Sequence, residues 1–368
     1  MSARFLAFLA VATLLGAYTG LHTAQLLPRH PEAALAATVA GVWLLVLWQL
    51  AYRSAAFPHE RAWARGLSWS ISVALGAWSA FLFFCAAADL STLVRVPAAV
   101  GVEAAAGAAL AVAALGAAQA LRGPRIVEVR VPVEGLPADL QGLRIAQLSD
   151  LHVGPTIRRR EVERVVERVR ALRPDLIAVT GDLVDGPVRR LSADVEPLAG
   201  LRAPLGVYYV TGNHEYYWDA RGWIEKTRAL GLIPLLNENR LLRRGEAELL
   251  VGGVPDESAG YFIPSHAPDV EKAAATSGRP AVRILLAHRP GGYERAERAG
   301  FDLQLSGHTH AGQFFPWSLV VRFFHRYYRG LNRHGRMRLY VSAGTGFWGP
   351  PLRLGAPAEI SLLTLARA

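Results

Sequence analysis

The first 121 residues constrain this chain most. They contain four apolar stretches, at residues 5–27, 33–52, 67–88 and 97–121. Each has the roughly 20 residues that a helix needs to cross a bilayer core of about 30 Å. Backbone groups in hydrocarbon must satisfy their own hydrogen bonds, so the stretches predict four transmembrane helices. The first is too long for the apolar region of a signal peptide, lacks a small-residue cleavage site and is followed by three more spans. The chain has 368 residues, of which 52% are hydrophobic, yet its formal net charge is +10. The two properties sit apart, because nearly all ionisable residues lie after Arg122.

The arginines orient the spans. With the N-terminus inside, the inner segments carry Arg4, then Arg53, Arg61 and Arg65, then Arg122, Arg125 and Arg130, whereas the outer loops carry Arg29 and Arg95. The positive-inside rule then places both termini and the charged region in the cytoplasm. Glu103 lies within the fourth stretch, where a carboxylate is either a functional group or one that snorkels to the interface. The single cysteine, Cys85, excludes an internal disulfide framework and reads as a small buried hydrophobe. Lys226 and Lys272 are the only lysines, so the basic balance is arginine usage plus inside-positive loops. It gives no reason to expect nucleic acid as a partner.

Gly123 and Pro124 end the fourth stretch, and residues 126–133 alternate as IVEVRVPV, the period of a half-buried strand. Short apolar runs follow, each closing on a polar cluster. RIAQL leads to Ser149 and Asp150, LIAVT to Gly181 and Asp182, and VYYVT to Gly212 and Asn213. RILLA leads to His288, and LQL to Ser306, Gly307 and His308. Residues 161–172 have helical periodicity, with Val162, Val165, Val166 and Val169 on one face. Strands alternating with helices predict an α/β domain whose ligands bind off the carboxyl ends of the strands.

Those ends carry Asp150-Leu-His152, Gly181-Asp182, Gly212-Asn213-His214-Glu215, His288 and Gly307-His308-Thr-His310. Imidazole with carboxylate and amide oxygen suits Mn, Fe, Zn or a similar divalent ion, and the lack of thiolates argues against a structural zinc site. Five blocks in this order resemble the calcineurin-like metallophosphoesterase superfamily, with the signature D-x-H, GD, GNH[DE], H, GHxH. GDLVDG, GHTHAGQF and the ending LYVSAGTGFWGPPLRLGAPAEISLLTL look most like its bacterial membrane-associated, YkuE/YaeI-like branch. Gly186 and Pro187 follow Asp185 where the protein-phosphatase branch usually has Arg, which disfavours a phosphoprotein substrate.

The resemblance implies two mixed β-sheets sandwiched by helices, α/β/β/α, behind the four-helix unit. It divides the chain into a membrane anchor (1–121), a linker with the first strand (122–143) and a phosphoesterase domain (144–368). It also implies two divalent metal ions: one held by Asp150, His152, Asp182 and His310, the other by Asp182, Asn213, His288 and His308, with Asp182 bridging. A metal hydroxide would attack phosphorus in line, His214 would protonate the leaving oxygen or neutralise phosphoryl charge, and Asp185 and Glu215 would orient ligands. The expected reaction is hydrolysis of a phosphomonoester, phosphodiester or pyrophosphate bond, with membrane lipids as partners and a lipid-linked or nucleotide-linked lipid substrate at the inner membrane of a bacterial cell. The alternatives are a metal- or headgroup-binding membrane scaffold without turnover, and a nuclease of the same superfamily.

Other residues carry less. His22, His30, His59 and His334 lack partners at ligand spacing and read as surface or interfacial, and His266 as a loop residue. Gly291 and Gly292 read as a turn. Residues 315–330, FPWSLVVRFFHRYYRG, interleave aromatics with Arg322, His325, Arg326 and Arg329. They read either as a lip that meets an anionic membrane or as a core helix with solvated arginines.

Overall fold

In the computed structural model, which describes residues 3–53, 61–93 and 101–368, the apolar stretches are helices. They are α1 (Ala3–Leu26), α2 (Pro31–Arg53), α3 (Ala62–Leu93) and α4 (Val102–Leu121). All four are long and apolar enough to cross a membrane, which makes this a membrane protein by its composition. The third runs well beyond the expected 67–88 at both ends. His59, Arg95 and Pro97 lie outside the described residues. Glu103 stands exposed in the first turn of α4.

Two units divide the chain. The first contains the helices together with Phe314–Pro316 and Gly349–Leu354. Small residues let its segments approach closely. Leu352 is fully buried beside Gly76 and Gly116, and the Arg353 N–H donates to the Gly116 carbonyl at 3.0 Å. Cys85 is buried as expected. His22 is also buried, with Nε2 3.2 Å from Asp89 Oδ2, which corrects its reading as a surface residue without a partner.

The second unit is built on twelve strands. One sheet has the order β1 (Arg125–Val133), β12 (Glu359–Arg367), β2 (Arg144–Leu148), β3 (Leu176–Thr180), β4 (Val207–Val210), β5 (Ile233–Pro234). The other has the order β10 (Gly330–His334), β11 (Met337–Val341), β9 (Leu303–Ser306), β8 (Val282–Leu286), β7 (Ala247–Gly253), β6 (Glu238–Arg244). Both are mixed: β2, β3 and β4 run parallel, as do β7, β8 and β9, while β12 is antiparallel to β2 and β6 to β7.

Alternation along each strand sends side chains into two layers. Ile145, Leu176, Leu249, Ile284 and Leu305 meet between the sheets. Ala146, Leu148, Ile177 and Val179 turn outward onto α5 (Arg159–Leu172), which supplies the four valines expected from its periodicity. Helices α6 (Val188–Val195), α7 (Asn213–Trp218) and α8 (Ala220–Ala229) follow on this side of the chain order. Short helices α9 (Ala259–Phe262), α10 (Val270–Ala274), α11 (Tyr293–Arg298) and α12 (Trp317–Val320) come from the second half. Leu250, Leu285 and Met337 pack outward with Val270 and Ala296 of α10 and α11. The layers are therefore helix, sheet, sheet, helix, as the resemblance implied.

One buried side chain joins the sheets where the site lies. Gln147 Nε2 donates to Thr180 Oγ1 and to the Ser306 carbonyl, each at 2.9 Å, so β2, β3 and β9 end in fixed register. The sandwich core sets the stability of this unit. Leu305→Ala leaves a cavity between the sheets and should cost about 2–5 kcal/mol, read as a lower unfolding midpoint of the full-length protein in detergent. A midpoint equal to that of the parent would contradict this packing.

Candidate metal centre

Five strands deliver polar residues at their carboxyl ends: β2 is followed by Asp150 and His152, β3 by Asp182, β4 by Asn213 and His214, β8 by His288, and β9 by His308 and His310. The backbone is bent to do so. Asp150, His152, Asp182, His308 and His310 all have φ between 49° and 69°, the left-handed region that side chains rarely adopt. Such strain persists only where surrounding bonds over-determine it, and it gathers at functional sites. Here the Asp150 N–H donates to the Gly181 carbonyl and the His152 N–H to the Asp182 carbonyl. The His308 N–H is 3.0 Å from both Asp150 carboxylate oxygens.

Two glycines allow the approach. Gly307 has no room for a Cβ, which would run into Ser149 Oγ and Asp150 Oδ2. Gly181, at φ +86°, would place one 2.6 Å from the Gly212 nitrogen and 2.8 Å from His288 Nδ1.

The side chains form overlapping clusters. Asp150, His152 and His310 offer ligand atoms within 4.8 Å of one another, and Asp182, His288 and His308 do the same. His152 Nε2 and His310 Nε2 are 3.0 Å apart, and His310 Nε2 is 3.5 Å from Asp150 Oδ1. One carboxylate oxygen looks toward both groups: Asp182 Oδ2 is 3.2 Å from His288 Nε2, 3.9 Å from His152 Nε2 and 3.8 Å from His214 Nε2.

This donor set fits a divalent cation. His288 Nδ1–H donates to the Thr180 carbonyl at 2.8 Å, which turns Nε2 toward the Asp182 carboxylate. His288 Nε2 and Asn213 Oδ1 are both buried without a hydrogen-bond partner. Buried acceptors facing one another are costly unless a cation lies between them.

Asp185 and Glu215 hold the site from behind. Asp185 Oδ1 accepts from His214 Nδ1 at 2.5 Å, and Oδ2 lies 3.1 Å from His152 Nδ1. A single carboxylate thus turns the Nε2 atoms of two histidines toward Asp182. Glu215 is fully buried and accepts from the backbone N–H groups of Asp182 at 3.1 Å, Leu183 at 2.7 Å and Gly212 at 2.6 Å, tying the end of β3 to the start of α7.

Electrostatics reflect the crowding. Burial raises the Asp150 carboxyl, and neighbouring Asp182 adds to it. Burial would also raise Asp182, but His288, His214 and His152 outweigh it and hold that carboxyl well below the usual range. His288 would be depressed by burial, yet Asp182 and Asp150 push it up to about 10, and Asp182 with Asp185 pushes His214 up to about 9 in the same way. His308 drops to about 3 through burial and the neighbouring positive groups. Burial pushes Glu215 up to about 7, with Asp182 reinforcing the shift.

Sequence reasoning missed the outer wall. The rings of Tyr217 and Trp348 lie 5.2 Å and 5.8 Å from that of His214. His266, read as a loop residue, accepts a contact of 2.9 Å from Tyr216 Oη through Nδ1. Arg289 Nε donates to buried Asp256 Oδ2 at 2.9 Å beside His288. A cavity of about 660 Å³ adjoins His288, lined among others by Arg289, Tyr293, Arg295 and Arg298. Gly292 does form a turn there, at φ +67° before α11.

Residues 143–312 match the calcineurin-like phosphoesterase family. A metallophosphoesterase of Aquifex aeolicus is 33% identical over 254 residues, which are 66% of this chain and 91% of that protein. The chain belongs to the calcineurin-like phosphoesterase family. The metallophosphoesterase YkuE of Bacillus subtilis is 28% identical over 238 residues, 62% of this chain and 81% of that protein. A transmembrane protein with metallophosphoesterase domain from Danio rerio is 39% identical over 264 residues, 70% of this chain. The chain spans 60% of the length of that relative and of its Bos taurus counterpart.

Asp185→Asn keeps the shape but weakens the acceptor for His214 Nδ1–H and removes the charge 3.1 Å from His152 Nδ1. It should lower divalent-metal affinity by roughly ten- to a hundredfold, measured by calorimetric titration of the metal-stripped protein. An unchanged affinity would contradict the orienting geometry.

Proposed function

We propose that this chain is a membrane-anchored, metal-dependent phosphoesterase that hydrolyses a phosphomonoester, phosphodiester or pyrophosphate bond of a lipid-linked substrate. The observation that carries the reading is the pair of donor groups Asp150, His152, His310 and Asp182, His288, His308, with His288 Nε2 and Asn213 Oδ1 left without hydrogen-bond partners. In this reading Asp150, His152, Asp182 and His310 would hold one divalent ion, and Asp182, Asn213, His288 and His308 would hold a second. Bound ions supply positive charge to the phosphoryl oxygens and lower the pKa of water to the neutral range.

The protein groups do the rest. Asp182 sits between the clusters and sets their separation. His214 is no ligand: Asp185 holds its Nδ1–H, so Nε2 points into the centre and delivers a proton to the departing oxygen or a hydrogen bond to the phosphoryl group. The short bond to Asp185 also keeps the imidazole from rotating away. Glu215 accepts from two backbone N–H groups of the Asp182 loop and from that of Gly212, so the Asp182 carboxylate keeps its place.

The four apolar helices and the basic aromatic segment after His310 support a lipid-linked substrate. The arginine distribution supports an orientation with the phosphoesterase unit on the cytoplasmic side of a bacterial plasma membrane. A C-terminal tag should then be protected from protease in intact spheroplasts and cleaved after lysis; cleavage in intact spheroplasts would overturn this orientation.

Catalysis is tested with a soluble model phosphodiester and Mn on the full-length protein. Asp182→Ala should abolish turnover. His214→Ala should lower kcat by about 10²–10⁴ while the metal remains bound. Full turnover in either variant would contradict the assigned roles, and metal binding with no hydrolysis by the parent across a substrate panel would favour a scaffold instead.

A further inference from the structure

Exposed large hydrophobic side chains are unevenly spread over the phosphoesterase unit. Nine occur after Leu121. The rings of Tyr217 and Trp348 lie against His214, that of Phe262 lies against Tyr217, and Trp317, Leu319, Phe323 and Phe324 follow His310 in the chain. Tyr217 follows His214 on α7, and its ring is 5.8 Å from that of Phe262, next to Tyr261, which is 91% exposed. Trp348 sets its ring edge on His214. On the other side of the ligand set, Trp317, Leu319, Phe323 and Phe324 follow His310, with Phe323 81% and Phe324 77% exposed.

Both groups are anchored to the centre. His325 packs its ring 5.9 Å from that of His308, and Thr309 Oγ1 donates to the Tyr328 carbonyl at 2.7 Å. The segment from 317 to 323 is one short α-turn and a 3-10 turn, not a core helix, which removes one of its two sequence-based readings. A soluble surface rarely gathers its apolar residues around one opening unless that rim meets a partner.

The charges name the partner. Arg322, Arg326 and Arg329 are exposed among the aromatics, and Arg326 lies over the Tyr327 ring at 5.4 Å. Aromatic rings beside arginines suit a boundary between anionic headgroups and acyl chains. The chain tethers this unit to a candidate membrane span, because α4 ends at Leu121 and β1 begins at Arg125, a link of about 14 Å at full stretch.

We infer that the rim formed by Tyr217, Tyr261, Phe262, Phe323, Phe324 and Trp348 inserts into an anionic bilayer interface and brings lipid headgroups to the metal centre. The inference rests on the lipid-linked reading of the substrate and names how that substrate is reached. Headgroups arrive from the bilayer plane past His214 on one side and His308 on the other. The arginines draw the domain to the anionic surface, and the exposed rings hold it there.

Depth is measured on the full-length protein in nanodiscs of phosphatidylglycerol and phosphatidylcholine. In a Cys85→Ala background, an environment-sensitive fluorophore is placed by Phe323→Cys, Tyr261→Cys or, as control, Leu241→Cys. At 323 and 261, quenching by nitroxide on lipid acyl chains should exceed that at 241 by about threefold or more, and iodide quenching should fall correspondingly. Replacing phosphatidylglycerol with phosphatidylcholine should reduce the lipid quenching. Iodide access at 323 and 261 equal to that at 241 would overturn the proposal. So would shielding from iodide without lipid quenching, which marks a second copy or another protein on the rim.

The paired variant Phe323→Ser, Phe324→Ser separates this from the catalytic reading. Turnover of a bilayer-embedded phosphoester should drop about tenfold while turnover of a soluble phosphodiester stays at the parent level. Loss of both equally, or of neither, would count against the rim. Absence of all hydrolysis in the parent would remove the catalytic reading and leave the depth measurement to decide the rim.

Discussion

The phosphoesterase unit is organised around one crowded arrangement: buried carboxylates and imidazoles held close enough together to suit divalent cations. Asp150 and Asp182 are both buried, and Asp182 Oδ2 lies within 4 Å of the Nε2 atoms of His288, His214 and His152. Left as a protein-only cluster, the arrangement pulls protons onto His288 and His214 and off Asp182, while Asp150 is pushed toward its neutral form. A fold driven by apolar burial alone would have separated these groups, since unpaired charges and acceptors cost several kcal/mol each in the interior. Such an arrangement suits divalent metal binding, because bound cations would offset the crowded carboxylates and buried ring nitrogens.

The backbone provides the counterweight. Parallel strands in two packed sheets end on the same side, Gln147 locks the ends of β2, β3 and β9, and Glu215 grips the turn after β3. With those bonds made, five candidate ligand residues can hold left-handed φ without the turns relaxing. The sandwich core matters to chemistry for this reason. It is the rigid body against which the strained turns are held, and sites placed at strand ends keep their geometry better than sites on free loops.

Much of this was legible in the sequence because it is local. The strands that position Asp150, Asp182 and Asn213 are short apolar runs with a polar stop, and the valines of α5 declare its buried face. The four long helices follow from length and apolarity alone. What stayed hidden depends on contacts between distant residues. Nothing near Trp348 foretells that it lies against His214, nor does the sequence around Tyr261 and Phe262 foretell their place beside Tyr217. His22 looked partnerless because Asp89 is 67 residues away. Asp185 was expected to orient ligands, yet its simultaneous contact with two histidines appears only once two strand-end loops are folded together.

The account stands most directly on there being two ions bridged by Asp182. The decisive measurement combines metal analysis with electron paramagnetic resonance on Mn-loaded full-length protein and its Asp182→Ala variant. The account predicts about two Mn ions per parent chain with the exchange coupling of ions ~3.5–4 Å apart, and loss of that coupling in the variant. A single uncoupled ion in the parent, or coupling that survives Asp182→Ala, would contradict it.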